Sequence, residues 1–166
     1  SHGKPFIEDW PTAVSWDGQY FALTTIEEEF RVVDLSGDFS IHAVGTHTGW
    51  IGGVTVLKQS RLLVTAGGND QTIAAWDLLS GKLIWKWEGQ GRITALSSSP
   101  SERLLIVGTE ANEMRVVDIS TAGTIATFTF DALVTVIDVH ACLPLIAVGD
   151  KTGRVHALIL KNCTLW

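Results

Sequence analysis

The sequence is poor in the residues that build cross-linked or reactive sites. It has two cysteines, Cys142 and Cys163, among 166 residues and no Cys-x-x-Cys spacing, which excludes a disulfide framework and a zinc knuckle. Both lie in or beside apolar stretches, so they are expected to be buried free thiols in a reducing compartment, the cytoplasm. Basic residues number only 12 against 18 acidic ones, for a net charge of −6, and they are scattered. A nucleic-acid surface needs them clustered, so nucleic acid is not an expected partner. No apolar run has the length of a bilayer-spanning helix, so no membrane association is expected either. The hydrophobic fraction of 46% and mean hydropathy of +0.24 are too apolar for a disordered chain. One core-rich domain over residues 1–166 is the expectation.

Catalytic and cofactor signatures are equally scarce. There is no GxxxxGK[ST] loop around Gly52-Gly53 or Gly67-Gly68, and no GxSxG or HExxH motif anywhere; no cofactor is implied. Histidines 42, 47, 140 and 156 stand at no metal-ligand spacing, so they read as structural side chains. The acidic run Glu27-Glu28-Glu29, with Glu8 and Asp9, reads as a solvated edge rather than a metal site. No enzyme is expected.

What the chain does have is a repeat. "FRVVDLSGD" (30–38), "IAAWDLLSGK" (73–82) and "MRVVDISTAG" (114–123) place Asp34, Asp77 and Asp118 in one register, at steps of 43 and 41 residues. Within each unit the apolar period is two: Leu83, Trp85 and Trp87 alternate with Ile84 and Lys86, and Phe128 and Phe130 alternate with threonines. Turn residues punctuate these runs at Asp17-Gly18, Ser80-Gly81 and Ser99-Pro100-Ser101. Four short strands per unit of about forty residues predict an all-β chain, a β-propeller of four four-stranded blades. The predicted blades cover approximately 11–45, 50–88, 92–130 and 133–160.

The fourth unit stops after its third strand, and that strand would expose a row of unpaired backbone groups. Residues 4–8 are predicted to close it as an orphan fourth strand, with Pro5 tolerable on an edge. Four blades then close as a monomer or pair with a second copy into an eight-bladed ring; the homodimer is the expectation.

The second unit resembles a WD repeat. It carries "HTGWIGGV" (47–54), "LLVTAGGNDQTIAAWD" (62–77) and the Trp76-Asp77 dipeptide. The resemblance implies a structural tetrad of turn Asp, His, hydroxyl and Trp, here Asp70, His47 and Trp76, with Ala66 standing where the hydroxyl should be. The other units have Glu27, Ala111 and Thr152 at the turn position and Val33, Val117 and Leu158 at the Trp position. Residues 126–160, ending in Gly149-Asp150 and Gly153-Arg154-Val155-His156, are similar to the last blade of WD-repeat sensor regions in bacterial STAND-type signalling ATPases.

That resemblance implies a non-catalytic module that binds a protein or peptide, a scaffold or ligand-sensing domain of a larger signalling protein. The binding face would gather Trp10, Trp50, Asn69, Gln90, Arg92, Glu110 and Lys151, beside Glu27, Glu28 and Asp131. The alternative is a small-ligand or carbohydrate-processing propeller with a site at its central channel, for which the inner strands offer little beyond Asp138.

Overall fold

Apolar residues at every second position, broken by short Asp-, Ser- and Gly-rich turns, favour pleated strands over helices. The computed structural model describes residues 12–14, 18–24, 29–35, 41–49, 51–88, 91–161 and 166, and among these there is strand and turn but no helix. The first sheet holds β1 (Thr12–Val14), β2 (Tyr20–Thr24), β3 (Glu29–Asp34) and β4 (Ile41–Thr46); the second holds β5 (Ile51–Leu57), β6 (Leu62–Gly67), β7 (Ile73–Asp77) and β8 (Leu83–Trp87). The third is built from β9 (Ile93–Ser98), β10 (Leu104–Thr109), β11 (Glu113–Asp118) and β12 (Gly123–Thr129). The fourth has three strands, β13 (Val134–Val139), β14 (Leu145–Asp150) and β15 (Val155–Ile159). Each sheet is an antiparallel meander in chain order. Residues 4–8, expected to supply a closing strand, lie outside the described residues.

The repeat is visible in the backbone angles as well as in the residues. Positive φ recurs between the second and third strands at Gln71, Asn112 and Gly153, between the first and second at Arg61 and Glu102, and between the third and fourth at Gly81 and Ala122. The turn after the third strand explains the aspartate register. Asp77 Oδ1 accepts the backbone N–H of Leu79 and Ser80 and the Ser80 hydroxyl, and Asp118 Oδ1 accepts the Ser120 N–H and hydroxyl. A short carboxylate at this position caps the turn that leads into the outer strand.

Three cores join successive sheets. Ala22 and Val32 of the first sheet pack with Val54, Val56 and Leu63 of the second. On the opposite face of the second sheet, Val64, Ala66, Ile73 and Ala75 meet Ile93, Leu96, Leu105 and Val107. The third sheet then packs Leu104, Ile106, Met114 and Val116 against Ile137, Val139, Ile146 and Val148. Among the described residues no comparable core joins the fourth sheet to the first.

The inner strands lie side by side in the same direction. A Cβ on Gly52 would sit 1.9 Å from the Ile93 carbonyl oxygen, and one on Gly53 would sit 2.6 Å from the Leu96 Cβ; the two glycines are what let β5 approach β9. Polar rungs tie the seams: the Thr55 and Ser98 hydroxyls lie 3.0 Å apart, and Thr94 Oγ1 donates to the Val134 carbonyl at 2.7 Å. A longer tie comes from Glu102. This carboxylate, 7% exposed, accepts the backbone N–H groups of Gln59 and Ser60 in the neighbouring sheet, both at 2.9 Å.

One expectation is corrected here. Cys142 is exposed, not buried. It sits in the turn after β13, where its N–H and that of Leu143 donate to His140 Nδ1, and the demands of the turn outweigh the preference of a thiol for the core. Cys163 lies outside the described residues.

Candidate functional site

Among the described residues a cluster of polar side chains is built at the end of the second sheet where β5 begins. His47 leaves β4 and places its ring between two partners, with Nδ1 2.6 Å from Asp70 Oδ2 and Nε2 2.9 Å from Thr65 Oγ1. The Trp76 indole N–H donates to the same hydroxyl at 2.8 Å. One assignment satisfies all of these: Nδ1–H donates to the carboxylate, Nε2 accepts from the Thr65 hydroxyl, and that oxygen accepts from the indole. Burial opposes the charge on Asp70, but the hydrogen bonds from His47 and Thr72 outweigh it and hold the carboxyl below its ordinary value. Two glycines make room. A Cβ on Gly67 would fall 1.8 Å from Asp70 Oδ1, and one on Gly45 would fall 2.6 Å from the Trp76 ring.

The hydroxyl comes from Thr65, not from the position of Ala66. Thr65 pairs with Ala74, and Leu63 with Trp76, so Thr65 and Trp76 share the face turned to the first sheet. Ala66 pairs with Ile73 on the other face, in the core shared with the third sheet. A slip of one residue along a strand reverses the face.

Carboxylate, imidazole and hydroxyl in line have the outward form of a nucleophile relay. The surroundings remove that chemistry: Thr65 is 0% exposed, and its oxygen is already taken by the indole and the ring nitrogen. The adjacent hollow of ≈ 160 Å³ is lined by His47, Asp70, Trp76 and Lys86, without Thr65. The cluster is a hydrogen-bonded clasp between the segment before β5, the β6–β7 turn and β7.

The fourth sheet meets the same need differently. Asp150 Oδ2 accepts from His156 Nε2 at 2.9 Å, while Oδ1 takes the N–H of Thr152 at 2.8 Å, the Thr152 hydroxyl, and the N–H of Arg154. His156, then Thr152, hold this carboxyl far below the usual range. The edge of Phe130 closes on the His156 ring at 4.9 Å between centroids. The run Gly149 to His156 is therefore a self-capped hairpin. In the third sheet the equivalent position is Thr109, whose buried hydroxyl has no hydrogen-bond partner among the described residues.

Residues 57–141 match the family described as the Anaphase-promoting complex subunit 4 WD40 domain. The chain belongs to the WD40 family. A curated relative, Eukaryotic translation initiation factor 3 subunit I of Phaeosphaeria nodorum, is 30% identical over 99 residues, covering 60% of this chain and 30% of that protein. The chain thus spans about a third of the length of the curated relative it matches. The WD40 match runs from the last residue of β5 to the turn after β13 and takes in Thr65, Asp70 and Trp76 of the clasp.

The expected partner-binding residues fall into two groups in this WD40 chain. Trp10, Trp50 and Gln90 lie outside the described residues, as do Glu27 and Glu28. Asn69, Arg92, Glu110 and Lys151 are all exposed. Because the inner strands run in parallel, the loops before β5, β9 and β13 share one end with the turns after β6, β10 and β14. Asn69 covers Gly49, whose φ is +85°. Arg92 lies 4.0 Å from Glu110, and its carbonyl accepts the Glu110 N–H. Lys151 donates its N–H to the Leu133 carbonyl, close to the Arg154–Asp131 pair at 3.5 Å. Among the described residues the contacts run within a sheet, Arg92 with Glu110 in the third and Lys151 beside the Arg154–Asp131 pair in the fourth.

Sequence reading missed Thr65, Glu102 and the turn-capping role of His140. Alternation puts Thr65 and Ala66 on opposite faces, but only the register of β6 against β7 says which face carries Trp76. Glu102 had no signal, since its partners are 42 and 43 residues away.

Proposed function

We propose that this WD40 chain is a non-catalytic protein-interaction module, a scaffold or sensing unit whose four sheets are blades of a β-propeller and whose loop end receives a protein or peptide. The observation that carries this reading is where the reactive side chains are spent. His47, His140 and His156 each hold a turn or a clasp, and Asp70, Asp77, Asp118, Asp150 and Glu102 each accept bonds from backbone N–H groups or a histidine. An enzyme working at a central channel would need charged groups on the inner strands. The only one on β1, β5, β9 and β13 is Asp138, and its Oδ1 accepts the N–H of Val139.

Several finer features belong to the same proposal. Residues 4–8 pair beside β15 as the fourth strand of the last blade, a second copy completes the ring, and the module works in the cytoplasm. Its placement as the sensor piece of a STAND-type signalling ATPase rests on the Gly149–His156 run alone. The binding face is the end carrying Trp50, Asn69, Arg92, Glu110 and Lys151. Exposed aromatic and arginine side chains are the types enriched at interface hot spots.

Selection of peptides from a phage-displayed library tests the assignment. Binding of the selected peptides should fall about tenfold or more in Trp50→Ala and Arg92→Ala and persist in Thr127→Ala on the outer strand. Equal binding by all variants, with the fold intact, would put the face elsewhere.

A further inference from the structure

A residue that recurs at the repeat step is carried to the same place on the neighbouring sheet. Arg61 and Arg103 stand 42 residues apart, each at the end of the turn between the first and second strands of its sheet. Their carbonyls accept the N–H that follows a turn-capping aspartate, that of Leu78 for Arg61 at 2.9 Å and that of Ile119 for Arg103 at 3.0 Å. Glu102 draws the two turns together by accepting the Ser60 N–H. The arginines are therefore neighbours at the end of the molecule opposite the loops, on the seam between the second and third sheets. Lys82 joins them from the β7–β8 turn, where its carbonyl accepts the Asp77 N–H at 2.9 Å. All three residues are exposed.

These cations differ from those elsewhere on the chain. Arg92, Arg115 and Arg154 each lie within 4.0 Å of a carboxylate. Among the described residues the side chains of Arg61, Lys82 and Arg103 have neither a hydrogen bond nor an ion pair. The turn aspartates are engaged otherwise: Asp77 Oδ1 holds Leu79 and Ser80, and Asp118 Oδ1 holds Ser120. Between Asp77 and Lys82, Leu79 is 51% exposed.

Cations with idle donors beside an exposed leucine suit a partner that brings carboxylates together with an apolar side chain. A uniform polyanion suits the surface less well, because Asp77 and Asp118 lie on it and would repel a run of phosphates. We propose that this end of the second and third sheets docks an acidic peptide segment, with carboxylates on Arg61, Lys82 and Arg103 and an apolar residue on Leu79. The surface is separate from the loop end and does not depend on what that end binds.

Fluorescence anisotropy of the full chain with a labelled peptide of glutamates around a central leucine tests it. Binding should saturate and weaken as salt is raised. It should fall about fivefold or more in each of Arg61→Gln and Arg103→Gln, and also in Leu79→Ser, all with the wild-type far-UV circular dichroism spectrum. Arg61→Lys and Arg103→Lys should retain most of the affinity, which separates a lost charge from a disturbed turn. Lys86→Gln removes the same charge nearer the loop end of β8 and should bind as wild type does. Four results overturn the proposal: no saturable binding, equal binding of a peptide with glutamine in place of glutamate, a loss in the arginine variants no greater than in Lys86→Gln, or tighter binding of a single-stranded oligonucleotide or of phosphatidylserine vesicles.

Discussion

The second and fourth sheets solve one problem with devices of different reach. Both must hold a tight turn at the loop end, and both use an aspartate bonded to a histidine. In the second sheet His47 stands 23 residues before Asp70, so the clasp fastens the segment leading into β5 to the β6–β7 turn and, through Thr65, to Trp76. In the fourth, His156 follows Asp150 by six residues, and the clasp closes only the β14–β15 hairpin. Here the segment leading into β13 is held by the Lys151 N–H and by the exposed Arg154–Asp131 pair. A long-range clasp couples parts of the chain that would otherwise move independently, whereas a local one stiffens a single turn.

The largest effect that would sharpen this contrast is expected from Thr65→Val. The change keeps shape but leaves the indole N–H and the His47 Nε2 without their shared oxygen, at a cost of about 2–4 kcal/mol. Urea unfolding followed by tryptophan fluorescence reads it directly. Loss of less than about 0.5 kcal/mol would mean that the hydroxyl is not the hub of the clasp.

A smaller and more local effect is expected from Asp150→Asn. Native-state hydrogen exchange should quicken at the amides of Thr152 and Arg154 while those around Asp70 stay protected. Equal acceleration in both sheets would break the comparison, because it would make the fourth-sheet clasp as far-reaching as the second.

The smallest effect is on acid stability. Asp70 and Asp150 are both held below the ordinary carboxyl value of 3.8 when folded. A depressed folded pKa contributes stability that is complete above the unfolded value and is lost as pH falls through the folded one. Stability should therefore be flat above about pH 5 and decline below pH 4. Exchange protection should be lost in the Asp70 region at a higher pH than in the hairpin from 150 to 156, where the shift is larger. The reverse order would contradict the assigned bonds.

The all-β character was legible because its signals are local. An aspartate at the end of a third strand caps a turn two or three residues away, as Asp77 and Asp118 both do. Side-chain alternation likewise needs only neighbours, so the strand runs could be read directly. Thr65 and Ala66 show where that reading stops: the residues are adjacent, both buried, and only the cross-strand partner decides which of them meets the indole. Cys142 failed for a similar reason. Its apolar neighbours suggested a core position, but the His140 ring organises a turn there and leaves the thiol outside. Of the expected binding residues, the structure gives positions to Asn69, Arg92, Glu110 and Lys151, and exposure alone does not make them a site.

Glu102 bears on how the array can be divided. The turn between β5 and β6 donates two of its backbone N–H groups to a carboxylate that belongs to the next sheet, so the second sheet is not finished by its own residues. Cut out and grafted alone, residues 51–88 would carry a turn whose acceptor had been left behind in the donor protein. The smallest transplantable module is a pair of adjacent sheets, and an engineer shuffling these repeats would place the junctions after the third-sheet turn rather than at the apparent seam between units.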